Sequence, residues 1–127
     1  MPGYTKVNLQ DVNNLSHTEG NEAHFSRKFL DSKELGVSLF RFMPNYRSGR
    51  AHKHRVQEEV YVVIKGSGQI LLDDKVEDLN PWDTVRVAPE VVRSFASGPE
   101  GLELIAIGGK KPEEGDGVPQ DADWPSN

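Results

Sequence analysis

The sequence predicts an all-β domain, and three observations support this. Between residues 4 and 108 the apolar runs are short, which is typical of strands rather than of helices. Turn-forming residues interrupt the chain often, for example at 66–68 (Gly-Ser-Gly) and at 73–75 (Asp-Asp-Lys). Apolar residues seldom recur at the spacing of a helix face. These features together favour a sandwich or barrel of short strands.

The predicted elements follow one another closely along this stretch. A loop or arm is expected over residues 11–22, which are rich in Asn, Ser and Gly, and a single helical turn around 31–35. Residues 80–83, Asn-Pro-Trp-Asp, form a turn that leads into the strand after it. Strands are predicted at 6–9, 24–30, 37–43, 51–54, 59–65, 69–72, 84–88, 93–96 and 102–107.

The chain of 127 residues has the length of one domain and divides into three predicted regions. Residues 1–35 form an N-terminal arm with outer strands, 36–108 form the barrel core, and 109–127 form a flexible C-terminal tail. The tail is polar and rich in Pro and Gly, so it is expected to contribute little to the core. Trp124 is its one candidate anchor.

The candidate core consists of apolar residues that alternate within the short strands. Trp82 is expected to pack over the end of the barrel. The core residues assigned in this way are Phe40, Phe42, Leu72, Leu79, Phe95 and Leu104.

Composition argues against several classes of function. The chain has no cysteine, so a metal could be held only by imidazole and carboxylate groups. Fifteen Lys and Arg residues against 20 Asp and Glu residues give a net charge of -5, which argues against a nucleic-acid partner. No apolar run approaches the roughly 20 residues that cross a bilayer, and the first ten residues lack the apolar core of a signal peptide. A cytoplasmic protein without a membrane partner is therefore expected.

The predicted strand at 59–65 is apolar on both faces, because its alternate residues on either side are largely hydrophobic. In so short a chain, a strand buried on both sides needs a cover outside the barrel, either the N-terminal arm or a second subunit. A homodimer is the expected cover. One face carries Glu59, Tyr61 and Val63, and the other carries Val60, Val62 and Ile64.

Three residues have the character of a metal site. His52 and His54 lie two positions apart and so share one face of an extended chain, and Glu59 follows beyond a predicted turn. Two imidazoles and one carboxylate can hold a divalent ion and leave coordination positions open for water, oxygen or a chelating substrate. Fe, Mn, Ni and Zn all remain candidates, because ligand type alone does not select among them.

The spacing of these residues resembles the first motif of the cupin family. That motif reads His-x-His, three or four residues, Glu, six residues, Gly, and here it corresponds to His52, His54, Glu59 and Gly66. The number of residues before Gly66 indicates that Glu59, rather than the neighbouring Glu58, corresponds to the ligand position of the motif. The resemblance covers about residues 36–108 and implies a cupin-type double-stranded β-helix, which is an all-β jelly-roll barrel.

The second cupin motif is only partly present. Residues 81–83 (Pro-Trp-Asp) stand where the family has a Pro-Gly-Asp turn, and residues 93–95 (Arg-Ser-Phe) stand where it has His-x-Phe. Arg93 therefore replaces the fourth ligand, and arginine cannot ligate a metal because it stays protonated. The resemblance implies that Arg93 pairs with Glu59 or holds a substrate carboxylate or phosphate. Tyr61, in phase with Glu59, is a second candidate substrate-binding residue, and His24 is interpreted as a strand histidine satisfied by its neighbours.

Three functional hypotheses remain open at this stage. The favoured one is a metal-dependent small-molecule enzyme of the dioxygenase or isomerase type, in which Arg93 pairs with the negative charge of the substrate. The alternative is a non-catalytic module that binds or senses a small anion through His52, His54 and Arg93, with or without a metal. A purely structural dimerisation domain would instead have a barrel interior filled by side chains, with no cavity.

Overall fold

The computed structural model describes residues 3–16, 18–112 and 114–126. A 3-10 turn at Leu9–Asp11 and a four-residue helix, α1, at Arg27–Leu30 are the helical elements of these residues. No helix in the described part of the chain is long and apolar enough to cross a membrane. The strands are β1 Asn21–Phe25, β2 Gly36–Phe42, β3 Arg50–His54, β4 Glu59–Leu72, β5 Lys75–Leu79, β6 Thr84–Val87, β7 Arg93–Gly108 and β8 Gly117–Asp121.

The eight strands form one curled antiparallel sheet, so the predicted all-β class is confirmed. Strands β4 and β7 pair along their whole lengths, from Glu59 opposite Gly108 to Leu72 opposite Arg93. The other edge of β7 pairs with β2 and β3, and the other edge of β4 pairs with β5 and β6. Strand β1 extends the sheet beyond β2, and β8 extends it beyond β3. The two long central strands therefore connect all the others.

Strands β4 and β7 are each continuous where the sequence predicts two separate strands. The pairing register shifts between Val63 and Lys65 and again between Gly66 and Gly68. Gly66 has a φ of 77° and Gly101 a φ of 82°, a conformation that glycine adopts without strain. The glycines at these positions therefore bend the two strands without ending them.

The first part of the chain also differs from the prediction. Residues 6–9 do not form a strand, and the turn at Leu9–Asp11 is capped by the Asn8 side chain, which accepts from the Gln10 N–H at 2.9 Å. The helical turn lies at Arg27–Leu30 rather than at 31–35, and it ends at Asp31, which has a φ of 54°. Strand β5 was not predicted, because its apolar residues are few and it lies at the edge of the sheet.

The C-terminal segment differs from the predicted flexible tail, because residues 117–121 form β8 along the edge of β3. Pro119 is compatible with this strand, since an edge position need not donate a backbone N–H. Trp124 is an anchor, as predicted: its indole N–H donates to the Ser48 carbonyl at 2.7 Å, and the Arg47 guanidinium lies 4.7 Å from its ring centre. The polar composition of this segment does not indicate β8, because this strand is held mainly by backbone pairing with β3.

The core lies between the two halves of the curled sheet. Of the six predicted core residues, Phe42, Leu79, Phe95 and Leu104 are buried, and Phe40 and Leu72 pack against them half-buried. The prediction for Trp82 is wrong: the side chain is 73% exposed and its backbone φ is 73°, in the turn before β6. The barrel end is therefore not closed by this indole.

The outward face of β4 is apolar and half-buried, as its alternation predicts. Val62 pairs with Ile105, which in turn pairs with Leu39, and Leu39 is buried. The N-terminal arm contributes to the cover, since the turn at Leu9–Asp11 contacts β2. Ile107, on the same face, is exposed. The homodimer expected from this face stays a prediction.

His24 is the satisfied strand histidine that the sequence indicates. Its side chain is buried in β1, where Nδ1 lies 2.6 Å from the Val12 carbonyl oxygen and Nε2 lies 2.9 Å from Glu22 Oε1. Both ring nitrogens therefore have a partner, and His24 is not available as a fourth ligand.

Candidate metal centre

His52, His54 and Glu59 converge at one point inside the barrel. The two histidines alternate along β3, so both rings point to the same face, and Glu59 begins β4. One nitrogen or oxygen atom from each residue lies within 4.8 Å of the other two. Glu59 Oε1 is 3.0 Å from His54 Nε2 and 3.6 Å from His52 Nε2. The three residues that the sequence predicts as ligands are thus brought together.

His54 provides the test of whether a metal ion fits this cluster. Its ring is buried, yet neither Nδ1 nor Nε2 makes a well-aligned hydrogen bond with any described residue, although Nε2 is close to Glu59. A buried polar atom without a partner is unfavourable by about 1–3 kcal/mol, so such atoms usually have a ligand. An ion bound between the imidazoles and the carboxylate would satisfy Nε2. Two nitrogens and one oxygen are donors that suit Zn, Fe, Mn or Ni.

Glu59 is ionised in this environment. Burial by itself would raise the pKa of its carboxyl, but contacts with His52, His54 and Tyr61 outweigh burial and hold the pKa far below its usual range. The Tyr61 hydroxyl donates to Glu59 Oε1 at 2.6 Å. A carboxylate that is already ionised can ligate a cation without losing a proton first.

Tyr61 supports Glu59 from within the core. The tyrosine side chain is buried, and its ring packs edge-on against Phe95 with centroids 5.0 Å apart. Burial, together with the negative charge of Glu59, raises the pKa of the Tyr61 hydroxyl well above its usual value. The hydroxyl is committed to the carboxylate and does not line the cavity described below. A direct role in substrate binding stays a prediction.

Asp116 is a residue of the centre that the sequence analysis missed. Its buried carboxylate accepts from the Val56 N–H at 3.0 Å and from the Gln57 N–H at 2.7 Å, which fixes the turn between β3 and β4. Oδ2 also lies 3.3 Å from His54 Nδ1, on the side of the ring away from Glu59. Burial would raise the pKa of Asp116, but the two backbone N–H groups and His54 lower it overall. A carboxylate in this position orients a metal-binding imidazole.

The sequence carried only a weak signal for Asp116. It lies between two glycines in a polar segment, which is a pattern typical of a turn. Its approach to His54 depends on the pairing of β8 with β3, in which Gly117 lies opposite His54.

Changing Asp116 to Asn is expected to lower metal affinity by about 10–100-fold, because the variant keeps the size of the side chain but removes the charge that orients His54. Competition with a chelating indicator measures this affinity. Asp121→Asn, an exposed residue of β8, is the matched control and is expected to bind as the unchanged protein does. Equal affinity in both variants would show that Asp116 does not support the centre.

Arg93 is placed differently from the prediction. It begins β7 opposite His52, and its side chain is 0% exposed. Nη2 donates to the Ala88 carbonyl at 3.0 Å, while Nε and Nη1 have no hydrogen-bond partner among the described residues. The pairing with Glu59 is not formed, since no described carboxylate lies within 4.0 Å of the guanidinium. Its charge acts on Tyr61, whose pKa it lowers in part.

The metal centre opens into a cavity of about 600 Å³. In one cross-strand row, Glu59 faces Gly108 and Gly108 faces Gly36, so two inward positions beside the carboxylate carry no side chain. The Arg27 guanidinium and the Gln57 side chain lie over these two glycines and line the cavity there. A purely structural domain would have a filled interior, so this cavity argues against that hypothesis. The described lining residues are Leu15, Phe25, Arg27, Gly36, Ser38, Phe40, His52, His54, Gln57, Glu59, Ala106, Gly108 and Lys111.

Comparison with known proteins gives structural matches only. No family model and no curated protein matches the sequence. A cupin protein from Bacteroides fragilis is 20% identical with a TM-score of 0.73, covering 89% of each chain. A sugar phosphate isomerase of the cupin superfamily from Silicibacter pomeroyi is 19% identical with a TM-score of 0.71, covering 85% of this chain and 77% of its own. The polyketide cyclase RemF from Streptomyces resistomycificus is 14% identical with a TM-score of 0.74, covering 95% and 87%.

Proposed function

Because the chain has the cupin fold, we propose that it is a metal-dependent small-molecule enzyme of the oxygenase or isomerase type. The fold alone does not select an activity, since one barrel carries many chemistries. The observation that carries the proposal is the convergence of His52, His54 and Glu59 on one point in the wall of a cavity. Two of the similar structures are named as enzymes, an isomerase and a cyclase, which supports a catalytic role.

The residues around the centre have separable roles in this proposal. His52, His54 and Glu59 hold the ion, and the ion supplies Lewis acidity that polarises a substrate oxygen. Tyr61 holds the Glu59 carboxylate by its hydrogen bond, and Asp116 holds the His54 ring. The His52 side chain is the more exposed of the two imidazoles and faces the opening of the cavity.

A non-catalytic module for a small anion is the second candidate. The buried Arg93 guanidinium has no carboxylate partner among the described residues, and this favours the module because an uncompensated buried positive charge attracts a negative ligand. In this alternative His52, His54 and Arg93 bind the anion, with or without a metal.

Elemental analysis tests the metal-dependent enzyme against the metal-free form of the second candidate. The enzyme hypothesis predicts about one equivalent of a divalent metal in purified protein, or after the metal-free protein is reconstituted with Fe, Mn, Ni or Zn. A content below about a tenth of an equivalent that reconstitution does not raise would rule out the metal-dependent enzyme. The anion-binding module would then be the function to pursue.

A further inference from the structure

The cavity beside the metal centre has an uncompensated positive charge at its opening. Arg27 and Lys111 line it, and Glu59 is the only acidic residue among the described lining residues. Glu59 is already engaged by Tyr61 and the two histidines. Within the described part of the chain, no carboxylate lies within ion-pair distance of Arg27. The charge of Arg27 is therefore available to a ligand.

The Arg27 side chain is held in place by the backbone. Its Nη2 donates to the Gly109 carbonyl at 2.7 Å. The guanidinium lies directly against Gly36, where a Cβ would come within 2.7 Å of Nη2 and 2.9 Å of Nε. Gln57 Nε2 donates to the same Gly109 carbonyl at 2.8 Å and lies in the same way against Gly108. Arg27 is thus a fixed, half-buried arginine rather than a freely moving surface side chain.

The position of Arg27 relative to the metal centre follows from strand pairing. Gly36 of β2 and Glu59 of β4 lie on either side of Gly108 in one cross-strand row. Neighbouring strands are about 4.8 Å apart, so these two backbone positions are separated by about 10 Å. A ligand with one group at the candidate metal centre and another at Arg27 is therefore a small molecule, because the side chains that line the cavity at both points shorten this distance.

Gln57 lies over Gly108, between these two points, and the cavity also has an apolar part. Leu15, Phe25, Phe40 and Ala106 contribute to it, and the rings of Phe25 and Phe40 meet edge to face with centroids 5.5 Å apart. Apolar and aromatic side chains bind an apolar body and do not satisfy a polar one.

We propose that this cavity binds a small carboxylate with an apolar body, and that Arg27, rather than Arg93, holds the carboxylate. The inference rests on the proposed function, because it names the class of molecule that occupies the same cavity. A planar guanidinium can bind a carboxylate through two parallel hydrogen bonds, and Arg27 is one of the residues that line the cavity. The body of the molecule then packs against the two phenylalanines and directs its other end to the metal centre.

The test compares benzoate, phenylacetate and 3-phenylpropionate with their uncharged amides, by calorimetry or ligand-observed NMR on the full chain. At least one carboxylate is expected to bind about tenfold more tightly than its amide. Arg27→Gln is expected to remove this preference, and Arg27→Lys to keep part of it. Arg86→Gln is the matched control, because Arg86 is exposed and pairs with Glu58 outside the cavity, and it is expected to keep the preference.

The same measurements on the double variant His52→Ala/His54→Ala separate this inference from the metal hypothesis. The preference for carboxylates is expected to persist there, because Arg27 does not depend on the metal ligands. Equal binding of carboxylates and amides by the unchanged protein, no carboxylate binding, or an undiminished preference in folded Arg27→Gln would each overturn the inference. None of these results alters the metal content on which the proposed function depends.

Discussion

Changing His54 to Ala is expected to abolish stoichiometric metal binding. His54 is one of the three proposed ligands and the more buried of the two imidazoles, and its Nε2 makes no well-aligned hydrogen bond with a described residue. The loss should exceed the roughly 10–100-fold effect of a residue that only supports a ligand. The fold should persist, because His54 lines the cavity and lies outside the apolar core cluster. Metal titration measures the affinity, and thermal unfolding measures the stability.

His24→Gln is the control for this experiment. His24 is buried in β1, and its ring nitrogens are occupied by Val12 and Glu22, so its loss is expected to leave the metal content unchanged. Metal affinity that survived His54→Ala would show that the ligand assignment, and the proposed function with it, is wrong.

Changing Gly66 to Ala is expected to destabilise the protein by about 3 kcal/mol or more. A Cβ at this position would lie 2.1 Å from the Gly101 carbonyl oxygen and 2.8 Å from its carbon, both of them backbone atoms of β7. The φ of 77° adds strain for any residue other than glycine. Urea unfolding measures the change in free energy.

Variants of two other glycines distinguish the two causes of the destabilisation by Gly66→Ala, which are backbone strain and the close approach of β7. Gly115 has a φ of 91° but open space around its Cβ position, so Gly115→Ala should cost only the backbone strain of about 1–2 kcal/mol. Gly49 has open space and no positive φ, so Gly49→Ala should change the stability by less than about 1 kcal/mol. If Gly66→Ala were no more costly than Gly115→Ala, the close approach of β7 would not be the reason for the glycine.

Local spacing was enough to predict that His52, His54 and Glu59 converge. His52 and His54 share a face because side chains alternate along any strand, and Glu59 follows after one short turn. The same short range carries Gly66, whose motif position corresponds to a real bend in β4. Such features depend only on residues that are close in sequence, so they can be predicted from the sequence alone.

Features that depend on distant pairing were not predictable in the same way. Asp116 reaches His54 across about 60 residues of chain, and Arg27 reaches the cavity from the N-terminal region through the Gly109 carbonyl. For Arg93 the motif position indicated the right strand. The hydrogen bond of its side chain to the Ala88 carbonyl depended on packing that spacing does not encode.

The pairing of β8 with β3 holds residues 116–121 against the candidate metal centre. The segment that carries Asp116 is held by backbone bonds to β3 and by the Trp124 indole, so detaching it would release the His54 ring from its outer contact. The two effects are thermodynamically linked. An ion that binds more tightly when the His54 ring is held by Asp116 therefore also favours the state in which β8 is paired with β3. Binding of a metal ion at the site is therefore expected to increase the protection of residues 117–124 from proteases, and removal of the ion is expected to reduce it.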